Sequence, residues 1–379
     1  MKYFIGIDLG TTNSAISFYD GEKVQLVKSK DQSDVTPSAI HIDKRGNKHI
    51  GRRAYDIYPI EPKNTAIKFK KLIGTSTKFN LGDLEMTPEE CSAEILKTLF
   101  GSLKEEVRND SDIGTVITVP AAFNQMQKDA TMAAAELSGI GKVALMQEPV
   151  AAVMSEMKVK KTDGIFLVYD LGGGTLDIAI ASSTKNRITL LSHGGIPMCG
   201  GTDFDRTIFD NIVKPWLVEN FKLPQDFEIN PDYEKLRTLA LFATEQAKIV
   251  LSSEEETTIN WMGQSGIVDE EGKDIYIDFN FSKKQYDKLI AERVESTIKA
   301  ARDAIKKASL NISDIERLVF VGGPTQYKPL RDLVSFELGI EASTDVNPMT
   351  AVSEGAAIFA ESINWESKSR GRKSSRGKV

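Results

Sequence analysis

The sequence predicts an α/β protein built of two related lobes with mixed sheets. Three observations carry this. Strand-like runs alternate with amphipathic helical stretches along most of the chain. A strand–turn–strand unit near the start recurs 162 residues later. The composition, 41% apolar and 27% charged with 13 prolines in 379 residues, is that of an ordinary globular protein and excludes wholesale disorder or a collagen-like fold. A chain of this size can bury roughly three quarters of its unfolded surface, so it needs no metal or disulfide staple.

Residues 3–7 read as a strand, Asp8-Leu9-Gly10-Thr11-Thr12-Asn13 as a tight turn, and 14–19 as a returning strand. The unit reappears as a strand at 165–169, the turn Asp170-Leu171-Gly172-Gly173-Gly174-Thr175, and a strand at 176–181. At this shift Phe4/Phe166, Asp8/Asp170, Leu9/Leu171, Gly10/Gly172 and Ile16/Ile178 are identical, five of fifteen positions, with apolar residues at most of the rest. Between the units, Thr87-Pro88-Glu89-Glu90 supplies an N-cap, a proline at the first helical position and the glutamate of a capping box. Cys91, Ile95, Leu99, Leu103 and Val107 then recur every fourth residue as one buried stripe. A strand at 115–119 leads through Pro120 to a helix over about 125–138. A strand at 143–146 leads through Gln147-Glu148-Pro149 to a short helix. The second half continues with helices near 203–221 and 233–251 and strands around 257–261 and 274–280. A Ser282/Gln285 capping box opens a long helix to about 309, and a strand at 317–321 runs into Gly322-Gly323-Pro324. From residue 366 the sequence is Ser, Gly and basic residues, which reads as a disordered tail or linker.

Charge and cysteine usage narrow the function. The net charge is −6, but six of the 48 basic residues lie in the last thirteen positions with no acid, leaving 42 against 54 and a body at −12. An acidic body argues against nucleic acid as the main partner. No apolar run approaches the roughly 18 residues a membrane span needs. The N-terminus meets Asp8 before an export signal could form, so no signal peptide is expected. Cys91 and Cys199 form no metal or redox spacing and are expected to be reduced and structural, which fits a cytoplasmic location. His41, His49 and His193 are scattered and carry no catalytic context.

Each glycine turn sets small residues and backbone N–H groups at a strand end, the arrangement of an anion-binding nest. The aspartate beside it is suited to Mg²⁺ held through water, because magnesium keeps much of its hydration shell. Two such turns facing each other would clasp a polyphosphate with a metal between them. No GxxxxGK[ST] occurs, and no GxGxxG follows a first strand, so neither a P-loop nor a Rossmann site is expected.

The quoted turns, with Val321-Gly322-Gly323-Pro324-Thr325, resemble the two phosphate motifs and the adenosine motif of the 70-kDa heat-shock chaperones of DnaK type. In family order between them stand Asn64-Thr65, Lys70-Lys71-Leu72-Ile73-Gly74, Val119-Pro120-Ala121-Ala122-Phe123-Asn124, Glu148-Pro149-Val150-Ala151-Ala152 and Gly200-Gly201-Thr202-Asp203-Phe204-Asp205. The resemblance spans about residues 3–360, the family's nucleotide-binding domain. It implies the actin-like ATPase (ribonuclease H-like) fold: lobe I over 1–165 with an outer subdomain near 37–92, and lobe II over 166–365 with an outer subdomain near 203–283. The tail follows at 366–379, and ATP or ADP lies in the cleft between the lobes.

By this resemblance Gly10, Thr11, Thr12, Asn13, Gly172, Gly173, Gly174, Thr175, Gly200 and Gly201 bind phosphate. Asp8, Asp170 and Asp177 orient Mg²⁺ through water, with K⁺ also placed near these carboxylates. Lys70, Glu148, Thr175 and Asp177 form the catalytic set. Glu245, Lys248, Ile249, Ser252, Gly322, Gly323, Pro324 and Gln326 surround the adenosine, and Pro120 and Lys128 relay nucleotide state to a partner domain.

The sequence departs from the family at Ile249 and Gln326, where arginines usually flank the base, and at Pro324, usually serine. Each missing guanidinium stack removes about 0.5–2 kcal/mol, roughly 5- to 700-fold in affinity together, with the low end favoured because Ile249 can still pack on the base. Lys128 stands for an arginine and keeps its charge without the bidentate geometry. The apolar linker and β-rich substrate-binding domain that follow in full-length chaperones have no counterpart in these residues, which is compatible with a piece of a longer protein or a single-domain homologue.

The expected function is a slow, Mg²⁺-dependent ATPase acting as a nucleotide-driven switch in protein folding and the stress response. J-domain cochaperones and nucleotide-exchange factors are the expected partners, and no membrane or nucleic acid. The alternative is a nucleotide-binding regulator, resembling an exchange factor, with little hydrolysis. A sugar kinase of the same superfold would need a catalytic base and sugar pocket that the sequence does not display.

Overall fold

The computed structural model describes residues 3–110, 113–160, 163–185, 187–262 and 266–365; the tail expected at 366–379 lies outside them. Two mixed sheets organise the chain. In the first, Phe4–Asp8 lies between the antiparallel Asn13–Tyr19 and the parallel Gly114–Val119, which is followed outward by Lys142–Gln147. In the second, Gly164–Leu171 lies between the antiparallel Thr175–Thr184 and the parallel Arg317–Val321, and Arg187–Pro197 pairs on the far side of Thr175–Thr184. The repeated hairpins are therefore homologous in place as well as in sequence, each at the centre of its sheet. These mixed sheets, with helices packed on them, are those of the actin-like ATPase fold.

Local signals form the elements expected of them. Thr87 accepts a hydrogen bond from the Glu90 amide and Glu90 reciprocates, opening the helix Pro88–Gly101. The stripe from Cys91 to Val107 is buried throughout, although the helix stops at Gly101 and resumes only at Glu105–Arg108. Ser282 caps Lys283–Lys307 through Gln285 as expected. The helix expected near 203–221 is broken into Gly201–Ile208 and Lys214–Asn220 by a π-turn at Phe209–Val213, which keeps Phe209 and Val213 both facing the core. Smaller strand pairs, 39–42 with 48–50 and 65–67 on one side and Glu256–Trp261 with Ile277–Ser282 on the other, build the outer parts of the two halves. Cys91 and Cys199 are free and buried.

Three apolar cores follow. One fills the first half around Ile5, Ile16, Ile95 and Ile117, and one the second half around Leu167, Phe204, Phe281 and Phe320. The third lies between the two sheets and holds Phe4, Val116, Phe166, Val168, Val319, Ala151 and Ala356. Two helices fill that space, and they are exchanged relative to chain order. Glu148–Lys160, which precedes the second hairpin, also packs on the strands of the second sheet. Ala351–Glu361, near the end of the described chain, lies on Phe4–Asp8, Asn13–Tyr19 and Gly114–Val119 of the first. The partition at 165/166 expected from sequence leaves this exchange unmarked.

The two helices cross in direct backbone contact. A Cβ on Gly355 would stand 1.8 Å from the Ala151 carbonyl oxygen, and one on Gly6 would stand 2.1 Å from the Ser353 carbonyl oxygen. The Gly6 contact and a 2.9 Å hydrogen bond between the Ser17 and Ser353 hydroxyls join the helix Ala351–Glu361 to the first sheet. Among the described residues no helix is long and apolar enough to cross a membrane.

Gly355→Ala forces these helices apart and is expected to cost about 1–3 kcal/mol, the usual penalty of overpacking. Chemical unfolding would read it as a lower midpoint, and an unchanged midpoint would mean that the seam relaxes without cost.

Candidate active site

The hairpin turns from the two sheets meet across a cleft of about 320 Å³, lined by residues from both halves of the chain. That volume is at the lower end of the range for small-molecule sites. The first turn is fixed from beneath: the Gly10 amide donates to Ser14 Oγ at 3.0 Å, and Ser38 Oγ donates to the Gly10 carbonyl at 2.8 Å. The second is fixed by the next helix, whose Gly201 and Thr202 amides donate to the carbonyls of Gly172 and Gly173 at 3.0 and 2.8 Å. With the carbonyls thus employed, the amides of Thr11, Thr12, Gly173 and Gly174 have no hydrogen-bond acceptor among the described residues. The Thr12 hydroxyl is buried and also without a partner. Thr12 faces Gly173 so closely that a Cβ there would lie 1.9 Å from Thr12 Oγ1, so the second turn must be glycine at the point of contact. The amides of Thr11, Thr12 and Gly173 and the orphaned Thr12 hydroxyl, all on residues that line this one opening, are donors awaiting an anion.

Acidic side chains form the cleft floor. Lys70 and Glu148, both buried, pair at 2.8 Å, and Asp8, Asp170 and Asp177 line the cleft around them. Lys70 is carried by a short 3-10 turn, Phe69–Leu72, whose preceding residue Lys68 adopts a left-handed backbone (φ 57°). Burial disfavours the Lys70 charge, but Glu148 and Asp8 more than restore it and hold its pKa above the usual lysine value. The acids respond oppositely. Burial, followed by the charge of Glu148, pushes Asp8 up to about 7. The same two causes raise Asp170 well above the carboxylate range and raise Asp177, which accepts a 3.1 Å hydrogen bond from Thr175. One lysine thus faces four carboxylates, a set that fits a hydrated divalent cation. Among the described residues no three His, Cys, Asp or Glu side chains close directly on a metal position.

The other end of the cleft is less polar. Glu245 and Lys248 come from the helix Glu234–Val250. Lys248 Nζ is fixed by Asp205 at 2.6 Å and by the Gly201 carbonyl at 2.9 Å. Ile249, Ser252, Gly322, Gly323, Pro324 and Gln326 line the same end. Glu245 also accepts a hydrogen bond from the Tyr55 hydroxyl, which bridges the two halves across the cleft.

Most residues singled out in the sequence therefore converge. Three do not line the cleft. Gly174 lies under Lys71, whose Nζ would be 2.0 Å from a Cβ there. Gly200 packs behind the second turn, where a Cβ would meet the Gly174 amide at 2.4 Å. Lys128 is half-buried on the helix Gln125–Ser138, away from the cleft, whereas Pro120 does line it. His41 and His49, read as scattered, are stacked cross-strand neighbours at 5.9 Å, far from this chemistry. Sequence reasoning missed Tyr55, Tyr286, Tyr327 and Met349, which also line the cleft. None of them stands in a local motif.

A family model described as Hsp70 protein matches residues 4–370. The chain belongs to the Hsp70 family and forms its nucleotide-binding domain, of the actin-like ATPase superfamily.

The raised carboxyl pKa values carry a sign. Between about pH 4 and pH 7 folded Asp8 binds a proton that the unfolded chain has released, so without metal this group makes the fold less stable as pH rises through that window. Asp8→Asn should flatten the decline, raise the melting temperature of the chelator-treated protein at pH 7.5, and weaken stabilisation by added Mg²⁺ and ADP. Thermal melts across pH check all three.

Proposed function

We propose that this nucleotide-binding domain is a slow, Mg²⁺-dependent ATPase and a nucleotide-driven switch of chaperone type. The observation that carries the reading is the meeting of the two glycine turns, with unused amides from both halves of the chain lining one cleft with the Lys70–Glu148 pair. A ligand held by both turns gains contacts only when they are close together. Its polyphosphate can therefore favour a closed arrangement, and shortening the polyphosphate weakens that preference.

Phosphoryl transfer asks mainly for positioning and fixed charge. In this reading the amides of Thr11, Thr12 and Gly173 hold the terminal phosphate oxygens, with Gly174 and Gly200 shaping the turn behind them. Thr175 and Asp177 complete the polar wall. Glu148 orients a water for in-line attack, and Lys70, kept charged by its acidic neighbours, stabilises the charge that develops on the transferred group. Mg²⁺ among Asp8, Asp170 and Asp177 would neutralise the phosphates, with K⁺ as an accessory ion. At the other end Glu245, Lys248 and Ser252 hold the nucleoside, while Ile249, Pro324 and Gln326 flank the base without a guanidinium stack.

Family membership supports J-domain and exchange-factor partners and a role for Pro120 and Lys128 in relaying nucleotide state, and the free, buried Cys91 and Cys199 fit a cytoplasmic setting in which they stay reduced. It also supports the two-lobe division at about 165.

Lys70→Ala should slow single-turnover hydrolysis of γ-labelled ATP on the order of 10²–10³-fold while ADP binding persists, the scale of losing one preorganised charge stabiliser. An unchanged rate removes Lys70 from the mechanism. Tight binding by the wild type with no phosphate release points instead to a regulator.

A further inference from the structure

Tyr286 sits in the first turn of the helix Lys283–Lys307 and lines the cleft together with Lys248 and Ser252. Its side chain is 2% exposed, held edge-on against Tyr327 at 5.0 Å and Phe281 at 6.4 Å. The neighbouring Tyr327 hydroxyl is satisfied, donating to Asp287 Oδ1 at 2.5 Å. The Tyr286 hydroxyl has no hydrogen-bond partner among the described residues, yet it is not among the fully enclosed unpaired atoms. Burial and the nearby Asp205 carboxylate push this phenol far up, so it keeps its proton and remains a donor. A buried, protonated, unpartnered donor beside a cavity is costly unless a ligand uses it.

We infer that the Tyr286 hydroxyl hydrogen-bonds to the sugar of the bound nucleotide, and so helps the site prefer ribose over deoxyribose. This rests on the nucleotide reading above and adds to it a residue and a selectivity. Depth argues for the sugar over the base. The residues expected to flank the base include Ile249, which is 55% exposed at the mouth. Tyr286 lies inward of it, near the Asp205–Lys248 pair. A nucleotide entering with its phosphates toward the glycine turns sets its pentose at that level, where Glu245, Lys248 and Tyr286 all line the cleft and offer polar groups suited to vicinal hydroxyls.

The test is Tyr286→Phe, which keeps the ring and removes only the oxygen. Equilibrium binding of ADP, 2′-deoxy-ADP and 3′-deoxy-ADP would be measured for both proteins, with melting of each without ligand. The variant should melt no lower than the wild type, because the lost hydroxyl has no partner in the fold. It should bind ADP about three- to tenfold more weakly, the worth of one net hydrogen bond. With the analogue lacking the sugar hydroxyl that Tyr286 contacts, the two proteins should bind alike. Equal ADP affinity in both proteins overturns the inference, and so does a deficit that persists with both deoxy analogues, since the hydroxyl then contacts another part of the ligand. A lower melting temperature with unchanged affinity would assign the hydroxyl to the fold and overturn it too. Failure of the wild type to bind ADP at all is a different result, which removes the nucleotide reading itself.

Discussion

Asp8, Glu148, Asp170 and Asp177 converge on Lys70 at the floor of the cleft, and the surrounding arrangement depends on that imbalance. A lone lysine would shed its proton under such burial; surrounded by acids it becomes a permanent cation. The acids in turn cannot all stay ionised without further positive charge, as the upward shifts of Asp8, Asp170 and Asp177 show. The floor therefore attracts cations, while the turns above it, with unused amides, attract anions. A metal–polyphosphate complex satisfies both at once, and neither ion alone does so as well.

That division also explains why the site must be built from two halves. Asp8 and Thr12 come from the first hairpin, Asp170 and Gly173 from the second, and Lys70 and Glu148 from the first half of the chain. The halves already touch at Thr12 and Gly173, at Lys71 over Gly174, and through Tyr55 to Glu245. Opening the cleft breaks these contacts, and a ligand held by both turns restores them in another form.

The chemistry is legible in the sequence because it is written in contiguous residues. An aspartate followed by a glycine turn specifies its own amides, and the recurrence of that pattern 162 residues on marks both hairpins. Glu245, Lys248, Ile249, Ser252 and Gln326 emerge only through resemblance, because no local pattern marks them; all of them line the cleft. Contacts without a local signature are invisible at that level. Tyr55 and Glu245 are 190 residues apart. Tyr286 follows a capping box and reads as one more core position in an amphipathic helix. The helix Ala351–Glu361 escapes recognition because it is buried on nearly every side, by Ala351, Val352, Ser353, Gly355, Ala356, Ala357 and Ala360, so it shows no polar face and no periodic stripe. The π-turn at Phe209–Val213 is equally hidden, since one extra residue per turn leaves the hydrophobic pattern almost unchanged.

The exchange of the two crossing helices sets the order in which the chain can become whole on the ribosome. The first sheet is complete by Gln147, yet the helix that covers its inner face ends at Glu361, and Trp365, which packs under Gly114, comes later still. During synthesis at roughly 5–20 residues per second, Phe4, Val116 and their neighbours wait on the order of ten seconds or more for their cover. The half made first is thus finished last. A break between the two helices parts the first sheet from the helix Ala351–Glu361 that packs on it.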